Sequence, residues 1–350
     1  MSKLPIIFDD HLDHSKIELQ YFVDTRIGKN TCKAKCEFCW LDKPHLNHFK
    51  QTPEEAEVII KGLEHNGFKV VPIVSDSFAE NGKYLRSNIF KDNDDWYMGN
   101  AAWSSGRPLL QDNYEELLDL CIDNNVKTII MTSHGTEDKS KDFKGLTQPS
   151  VVKKATARIK EFSAKRQWKF KVILTFTISR ANMTEQHLQS YFAHCEALEA
   201  DVIRLNRFAD KQGIYEHLRL TKEDTIACYQ LMKKVYDQYE GNVQLSVSED
   251  FGNWGVEVMG FPAEVGNCVA GEYLFGVVYP DVYVCPVNLT LKVGKIQPDH
   301  TIQWNQEVID QLMAAKTHPD FGGCIGVAYP HSQEIRDYFQ DLKLTTVEQK

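Results

Sequence analysis

Three cysteines crowd into eight residues near the start of the chain: Cys32, Cys36 and Cys39, in the run Thr-Cys-Lys-Ala-Lys-Cys-Glu-Phe-Cys-Trp, with spacing C-x3-C-x2-C. So short a segment closes on one inorganic centre without help from distant sequence. Three thiolates are one fewer than an ordinary cubane iron–sulfur site uses, which leaves one metal position open for chemistry. A zinc knuckle would instead show paired C-x2-C or Cys/His halves that complete four ligands, and no second cysteine half lies close by. The fold must therefore deliver this loop to a place where a reactive centre is shielded.

The strand that delivers it is legible. Lys16–Asp24 alternates and then runs apolar, and it leads directly into the cysteine loop. Further strands are expected at Phe68–Val74, Val126–Thr132, Phe170–Ile178, Ala200–Leu205 and Val243–Val247. Helices are expected from Thr52 to Asn66-Gly67, and over Tyr114–Asn125, Ser150–Phe162, Thr184–Leu198 and Thr221–Tyr239. Thr52-Pro-Glu-Glu is a helix start with an N-cap hydroxyl and proline at the first helical position, and Gly67 is a stop. Residues 79–100, polar and rich in Gly and Asn, read as an insertion or lid.

Strands alternating with helices argue for a parallel α/β sheet. There are too few units before residue 250 for a closed eightfold barrel, and no G-x-G-x-x-G follows the first strand. The expected class is α/β: a partial (β/α)6 barrel over residues 16–250, preceded by a short arm over 1–15 and followed by a smaller hairpin-plus-helix extension over 251–350. In such folds the site lies at the C-terminal ends of the strands, where the cysteine loop leaves its own.

Composition narrows the partners. A net charge of −9 with no basic block argues against a nucleic-acid polymer. No apolar run approaches a membrane span, and the first residues lack the apolar core of an export signal. Nine cysteines without such a signal point to a reducing cytoplasm, where thiols serve metals or catalysis.

The cysteine run, with Phe38 just before the third thiol, resembles the signature of the radical SAM superfamily. That resemblance implies a [4Fe–4S] cluster on Cys32, Cys36 and Cys39, with S-adenosylmethionine (SAM) chelating the open iron. It also implies a reductant such as flavodoxin or ferredoxin, and cleavage of SAM to a 5′-deoxyadenosyl radical. The partial barrel is what it implies as well.

Phe38 then belongs to the cofactor site, and the other strand tips are expected to hold SAM. Ala102-Trp-Ser-Ser-Gly-Arg-Pro-Leu-Leu110 is similar in shape to the family's Gly-Gly-Glu-Pro, with Gly106 in the motif but Arg107 where the acid would stand. Asp76, after the second strand, is the alternative carboxylate for the SAM amine. Met131-Thr-Ser-His-Gly135 resembles the family's Thr-Asn-Gly. Ser179 and Arg180 are expected at the ribose hydroxyls and carboxylate, and Arg204 and Asn206 share one side of their strand. Glu249 and Asp250 either read substrate as acid or base, or cap the next segment.

A second cysteine set follows: Cys268, Cys285 and Cys324. Taken alone, these could be buried small residues. Cys-x-Ala-Gly, then Tyr-Val-Cys-Pro, then Val-Gly-Lys-Ile resembles the start of the SPASM or twitch extension, which implies one auxiliary [4Fe–4S] cluster whose fourth ligand is another residue or the substrate. The rival role for Cys324 is hydrogen-atom donor to a substrate radical. Cys121, Cys195 and Cys228 fit core packing, and the pairs His11/His14 and His45/His48 lack the context of a zinc helix.

Such enzymes act on C–H bonds. A peptide substrate, matured by oxidation, epimerisation or cross-linking, is the first expectation, although the N-terminal arm is too short for a leader-binding domain. A small polar metabolite such as an aminosugar or nucleoside is the second. A non-catalytic iron–sulfur protein is the third.

Overall fold

The computed structural model describes residues 3–9, 15–26, 39, 46, 49–90, 101–133, 135–136, 149–209, 215–263, 265–287, 289, 291–317 and 324. Cys32, Cys36 and Phe38 lie outside them, as do both histidine pairs and His134.

The expected alternation is present. Strands β1 (Ile7–Asp9), β2 (Glu18–Asp24), β3 (Lys69–Val74), β4 (Ala101–Ser104), β5 (Thr128–Thr132), β6 (Lys171–Ile178), β7 (Val202–Arg207) and β8 (Gln244–Ser248) alternate in large part with helices. These are α1 (Pro53–His65), α2 (Tyr114–Asp123), α3 (Pro149–Arg166), α4 (Glu185–Ala197) and α5 (Lys222–Gln238). The C-terminal part adds β9 (Leu274–Val278), β10 (Asp281–Tyr283), β11 (Lys292–Ile296), β12 (Ile302–Trp304) and α6 (Gln306–Lys316).

Helix starts follow their caps. Thr52 accepts from the Glu55 N–H (3.2 Å) while its own N–H donates to the Glu55 carboxylate (2.8 Å). Thr221 and Asp224 repeat the arrangement at α5. Each such cap contributes about 1 kcal/mol. Helix α1 ends where Gly67 takes φ +90°, which a side chain would resist.

The strands divide into two sheets. The first, in the order β1-β8-β7-β6-β5-β4, is six-stranded and parallel throughout. Its outer face packs on α2–α5 through residues such as Leu117, Ile129, Phe162, Leu174, Phe192, Leu205 and Met232. The second, β12-β11-β10-β9-β2-β3, has β2 between β3 and β9 with parallel pairing on both sides, then an antiparallel run to β12. The two sheets touch where the Ser77 N–H donates to the Trp103 carbonyl (2.8 Å) and the Trp103 N–H returns to Ser77 Oγ (3.0 Å).

Several details differ from the sequence reading. Part of the expected N-terminal arm is strand β1, added beside β8. Strand β4 has four residues, too few for a periodicity to show. Residues 79–90 do not form an open lid: Ala79, Tyr84, Leu85 and Ile89 are buried. A hairpin turning at Tyr279-Pro280 joins β9 to β10, and β9 also pairs along the cysteine-delivering strand, with Leu19 opposite Phe275 and Tyr21 opposite Val277. The C-terminal strands thus complete the sheet that β2 belongs to.

Candidate cofactor site at the strand tips

Along the inner face of the first sheet, register lines residues up in rungs. Trp103, Ile130, Ile173 and Val202 stand side by side as an apolar rung. The next rung toward the C-terminal ends is polar: Thr132, Thr175, Arg204 and Ser246 are register partners in turn. Thr175 Oγ1 donates to Thr132 Oγ1 (3.1 Å). Above it, Thr177 pairs with Asn206. Side chains two apart on a strand share a face, so the face passes from apolar to polar in the direction of the tips. A polar ligand is therefore favoured at the tips and disfavoured below them.

Arg204 dominates the polar rung. Its guanidinium, largely buried, donates to Ser248 Oγ (3.2 Å) and Glu249 Oε2 (3.2 Å), and lies 5.8 Å from the centre of the Trp103 ring. Cation–π contact and a half-exposed carboxylate together hold a charge that burial alone would disfavour. Asn206 Oδ1 is buried and, among the described residues, accepts no hydrogen bond.

Asp76 and Gly106, the two alternatives for the SAM amine, occupy one locus. Asp76, fully buried just past β3, accepts at Oδ2 from the Ser105 N–H (3.0 Å), Ser105 Oγ (2.9 Å) and Ser104 Oγ (3.4 Å), and at Oδ1 from the Phe78 N–H (3.1 Å). Burial pushes its carboxyl above the ordinary range despite these donors. The Gly106 N–H donates to Ser104 Oγ (3.0 Å), and its φ of +74° makes the turn. A Cβ there would stand 3.3 Å from Ala155 Cβ and 3.4 Å from Met131 Sδ. Asp76 is thus engaged in shaping the Ser104–Gly106 turn.

Ser179 and Arg180 part company. Ser179 is buried, its N–H donating to Asn182 Oδ1 (2.8 Å) and its Oγ accepting from the Ala181 N–H (3.2 Å), a local turn that precedes α4. Arg180 is half-exposed and pairs with Asp224 Oδ2 at 2.6 Å, at the start of α5.

Cys39 packs with Phe22, Ile73, Val278, Tyr283 and Leu289 on one face of the second sheet. The strand that delivers the motif and the C-terminal hairpin therefore share an apolar wall beside it. The segment before it is rooted in a polar knot: Asp24 accepts from Arg26 Nε (2.9 Å), Arg26 Nη2 (2.6 Å) and Tyr84 OH (2.9 Å).

The members of the second cysteine set, far apart in sequence, lie near enough for Cys268 and Cys285 to be felt electrostatically at Cys324. The Cys324 thiol is pushed well above its ordinary pKa by burial and then by the nearby Cys268, Cys285, Asp250 and Glu249. Among the described residues no three His, Cys, Asp or Glu side chains converge on a single ion's position. Cys285 Sγ accepts the Val287 N–H at 3.3 Å. The Cys268 carbonyl accepts from Lys316 Nζ (2.8 Å). Cys121, Cys195 and Cys228 are fully buried, and burial raises their thiols, as inert packing requires.

Arg207 is the residue the sequence reading undervalued. It is buried, its Nη2 donates to the Leu220 carbonyl (2.7 Å), its backbone N–H donates to Asp250 Oδ1 (2.9 Å), and its guanidinium lies 5.6 Å from the Trp254 ring centre. Burial lowers its pKa, while Cys324 and Asp250 oppose that. Asp250 itself is raised to about 7 by burial and by Glu249. A strand-end arginine two positions past an apolar residue was the available signal.

No family model matches the chain, and no curated protein matches it in sequence. Solved structures share the fold. SuiB of Streptococcus suis superposes with a TM-score of 0.57 at 13% identity over 83% of this chain. The match covers 65% of SuiB, so the chain spans less than two thirds of that protein. SuiB has also been solved bound to S-adenosylmethionine (TM-score 0.55, 14% identity, 88% of this chain and 67% of that one). The protein anSMEcpe with bound AdoMet matches at a TM-score of 0.55 and 15% identity over 94% of each chain. The chain therefore shares an α/β fold, with its six-stranded parallel sheet, with these solved structures.

Proposed function

We propose, from this fold and the Cys32–Cys36–Cys39 motif together, that the chain is a radical SAM enzyme acting on a C–H bond of a peptide. The observation that carries the reading is the position of the motif: it follows β2 at the strand's C-terminal end, in a fold shared with two proteins solved with S-adenosylmethionine bound. The two sheets, joined through Ser77 and Trp103, form the wall of a partial barrel in this reading.

Cys32, Cys36 and Cys39 would hold a [4Fe–4S] cluster and leave one iron for SAM. Bound there, cluster and SAM would supply a carbon radical able to take a hydrogen atom from substrate. The chain's own residues bind and orient. The Ser104–Gly106 turn, shaped by Asp76, presents backbone groups to the SAM amine. Asn206 Oδ1 offers an open acceptor at the polar tips, and Arg204 a cation for a carboxylate. The apolar rung of Trp103, Ile130, Ile173 and Val202 keeps water from below.

Cys268, Cys285 and Cys324 would hold an auxiliary cluster. The charges of Cys268, Cys285, Asp250 and Glu249 all disfavour an ionised Cys324, and a cationic centre would relieve that repulsion. The Val287 N–H on Cys285 fits a thiolate ligand. A peptide substrate is supported by SuiB, solved bound to precursor peptide SuiA and matching this chain at a TM-score of 0.54 and 13% identity.

The test is anaerobic reconstitution with iron and sulfide, then dithionite and SAM. Formation of 5′-deoxyadenosine that disappears in Cys32→Ala is expected; its absence from the wild type overturns the reading. Deuterium passing from a deuterated peptide into 5′-deoxyadenosine supports the peptide. Transfer only from a labelled sugar or nucleoside overturns it.

A further inference from the structure

The cysteine motif sits in a segment whose two ends are brought together. Asp24 and Lys50 form an antiparallel bridge, the Thr25 N–H donates to the Phe49 carbonyl (3.2 Å), and the Gln51 N–H donates to the Val23 carbonyl (3.0 Å). Thr25 Oγ1 also donates to the Leu46 carbonyl. Backbone pairing thus makes a stem below residues 27–48.

A side chain from another part of the chain grips both sides of that stem. Glu80 Oε1 accepts from Arg26 Nη2 at 2.6 Å, and both Glu80 oxygens lie 3.3 Å from Lys50 Nζ. Arg26 precedes the segment and Lys50 follows it. Arg26 is itself fixed by a fork on buried Asp24, which Tyr84 also holds. Glu80 is about four-fifths buried, and although burial alone would raise its carboxyl, the hydrogen bonds and charges of Arg26 and Lys50 leave it below the ordinary range.

The backbone around Glu80 is held in a form that side chains resist. Glu80 and Asn81 take φ of 50° and 58° in succession. Such a pair persists only where the surroundings over-determine it. The same turn carries Asp76, four residues earlier, docked on Ser105. One short stretch therefore touches the SAM-facing turn at one end and the root of the cysteine segment at the other.

We propose that Glu80 is a positioning residue that clasps Arg26 and Lys50, the two residues that flank the cysteine segment, and so ties the root of that segment to the stretch that shapes the Ser104–Gly106 turn. This rests on the reading of Cys32, Cys36 and Cys39 as ligands. Glu80 touches neither cluster nor SAM in this role; it acts through the two cations.

The test uses the full chain as wild type, Glu80→Gln, Glu80→Asp and Lys50→Gln. In metal-free protein, Glu80→Gln should raise protease cleavage within residues 27–48 at least fivefold. In reconstituted protein it should leave iron per chain unchanged, raise the SAM dissociation constant at least fivefold, and weaken the SAM-induced change in the electron paramagnetic resonance spectrum. Glu80→Asp, which keeps the carboxylate, should recover most of the effect, and Lys50→Gln should show a smaller change of the same sign. Wild-type values for Glu80→Gln, or faster cleavage with unchanged SAM affinity, overturn the proposal. If Glu80→Gln fails to fold, Lys50→Gln decides by the same readouts. A wild type that takes up no iron overturns the ligand reading instead, and the proteolysis comparison still decides whether the clasp exists.

Discussion

Both the backbone N–H and the hydroxyl of Ser105 donate to one oxygen of Asp76, at 3.0 and 2.9 Å. The carboxylate comes from the tip of β3 and the serine from the tip of β4, so two stretches that look like rival candidates in the sequence are halves of one turn. Replacing Asp76 by Asn turns an NH2 donor toward the donors of Ser105 or, with the amide flipped, toward the Phe78 N–H. Asp76→Asn should cost roughly 1–3 kcal/mol of stability, read by urea denaturation of the metal-free protein. An unchanged midpoint would show that the turn holds itself.

Gly106 tests the same turn from its backbone. At φ +74°, with Ala155 and Met131 about to touch any added methyl group, Gly106→Ala is disfavoured by both conformation and space. It should destabilise by more than about 1 kcal/mol. Gly67→Ala also meets a positive φ but nothing within 4 Å, so its cost should be the smaller of the two.

The clasp has a pH signature. Glu80 in the folded chain is below its ordinary value of 4.5, so the unfolded chain binds its proton more tightly. The stability it contributes is present above that value and is lost as pH falls through the folded value. Below about pH 4.5, wild type should therefore lose stability more steeply than Glu80→Gln, as seen in acid titrations of the melting temperature. Parallel curves would show that Glu80 is not held by Arg26 and Lys50.

Iron counts separate the two cysteine sets. Wild type should take up about eight iron atoms per chain, two cubane clusters' worth. Cys324→Ser should retain about four, and a combined Cys32, Cys36 and Cys39 replacement should retain the other four or so. A wild type with about four, unaffected by Cys324→Ser, would remove the auxiliary cluster and leave Cys324 to its rival role.

Local chemistry was the legible part. The caps at Thr52, Thr184 and Thr221 and the runs that became β2, β3 and β5 to β8 carry their signals within a few residues. Strand β4 does not, because Ala101–Ser104 is defined by what it pairs with. For the same reason the sequence could not show that β9 lies along β2, a partnership across some 250 residues. At the site, alternation placed Arg204 and Asn206 on one face, where the registers put them. It could not foresee that Arg180 turns to Asp224, or that Arg207 is buried beside Trp254 and Asp250. Those outcomes depend on which opposite charge the fold brings within reach.

The place of β9 against β2 also orders events in time. A chain is made from its N-terminus, so β2 emerges with β3 soon after it but waits for residues 274–278 before its other edge is covered. Until then a row of backbone donors and acceptors stands open beside the cysteine segment, the kind of edge that invites pairing with the wrong chain. The wall around Cys39, which includes Val278, Tyr283 and Leu289, is likewise finished only by the last third of synthesis. A chain cut after β8 would keep all three motif cysteines and lack the part of the apolar wall that Val278, Tyr283 and Leu289 give to Cys39.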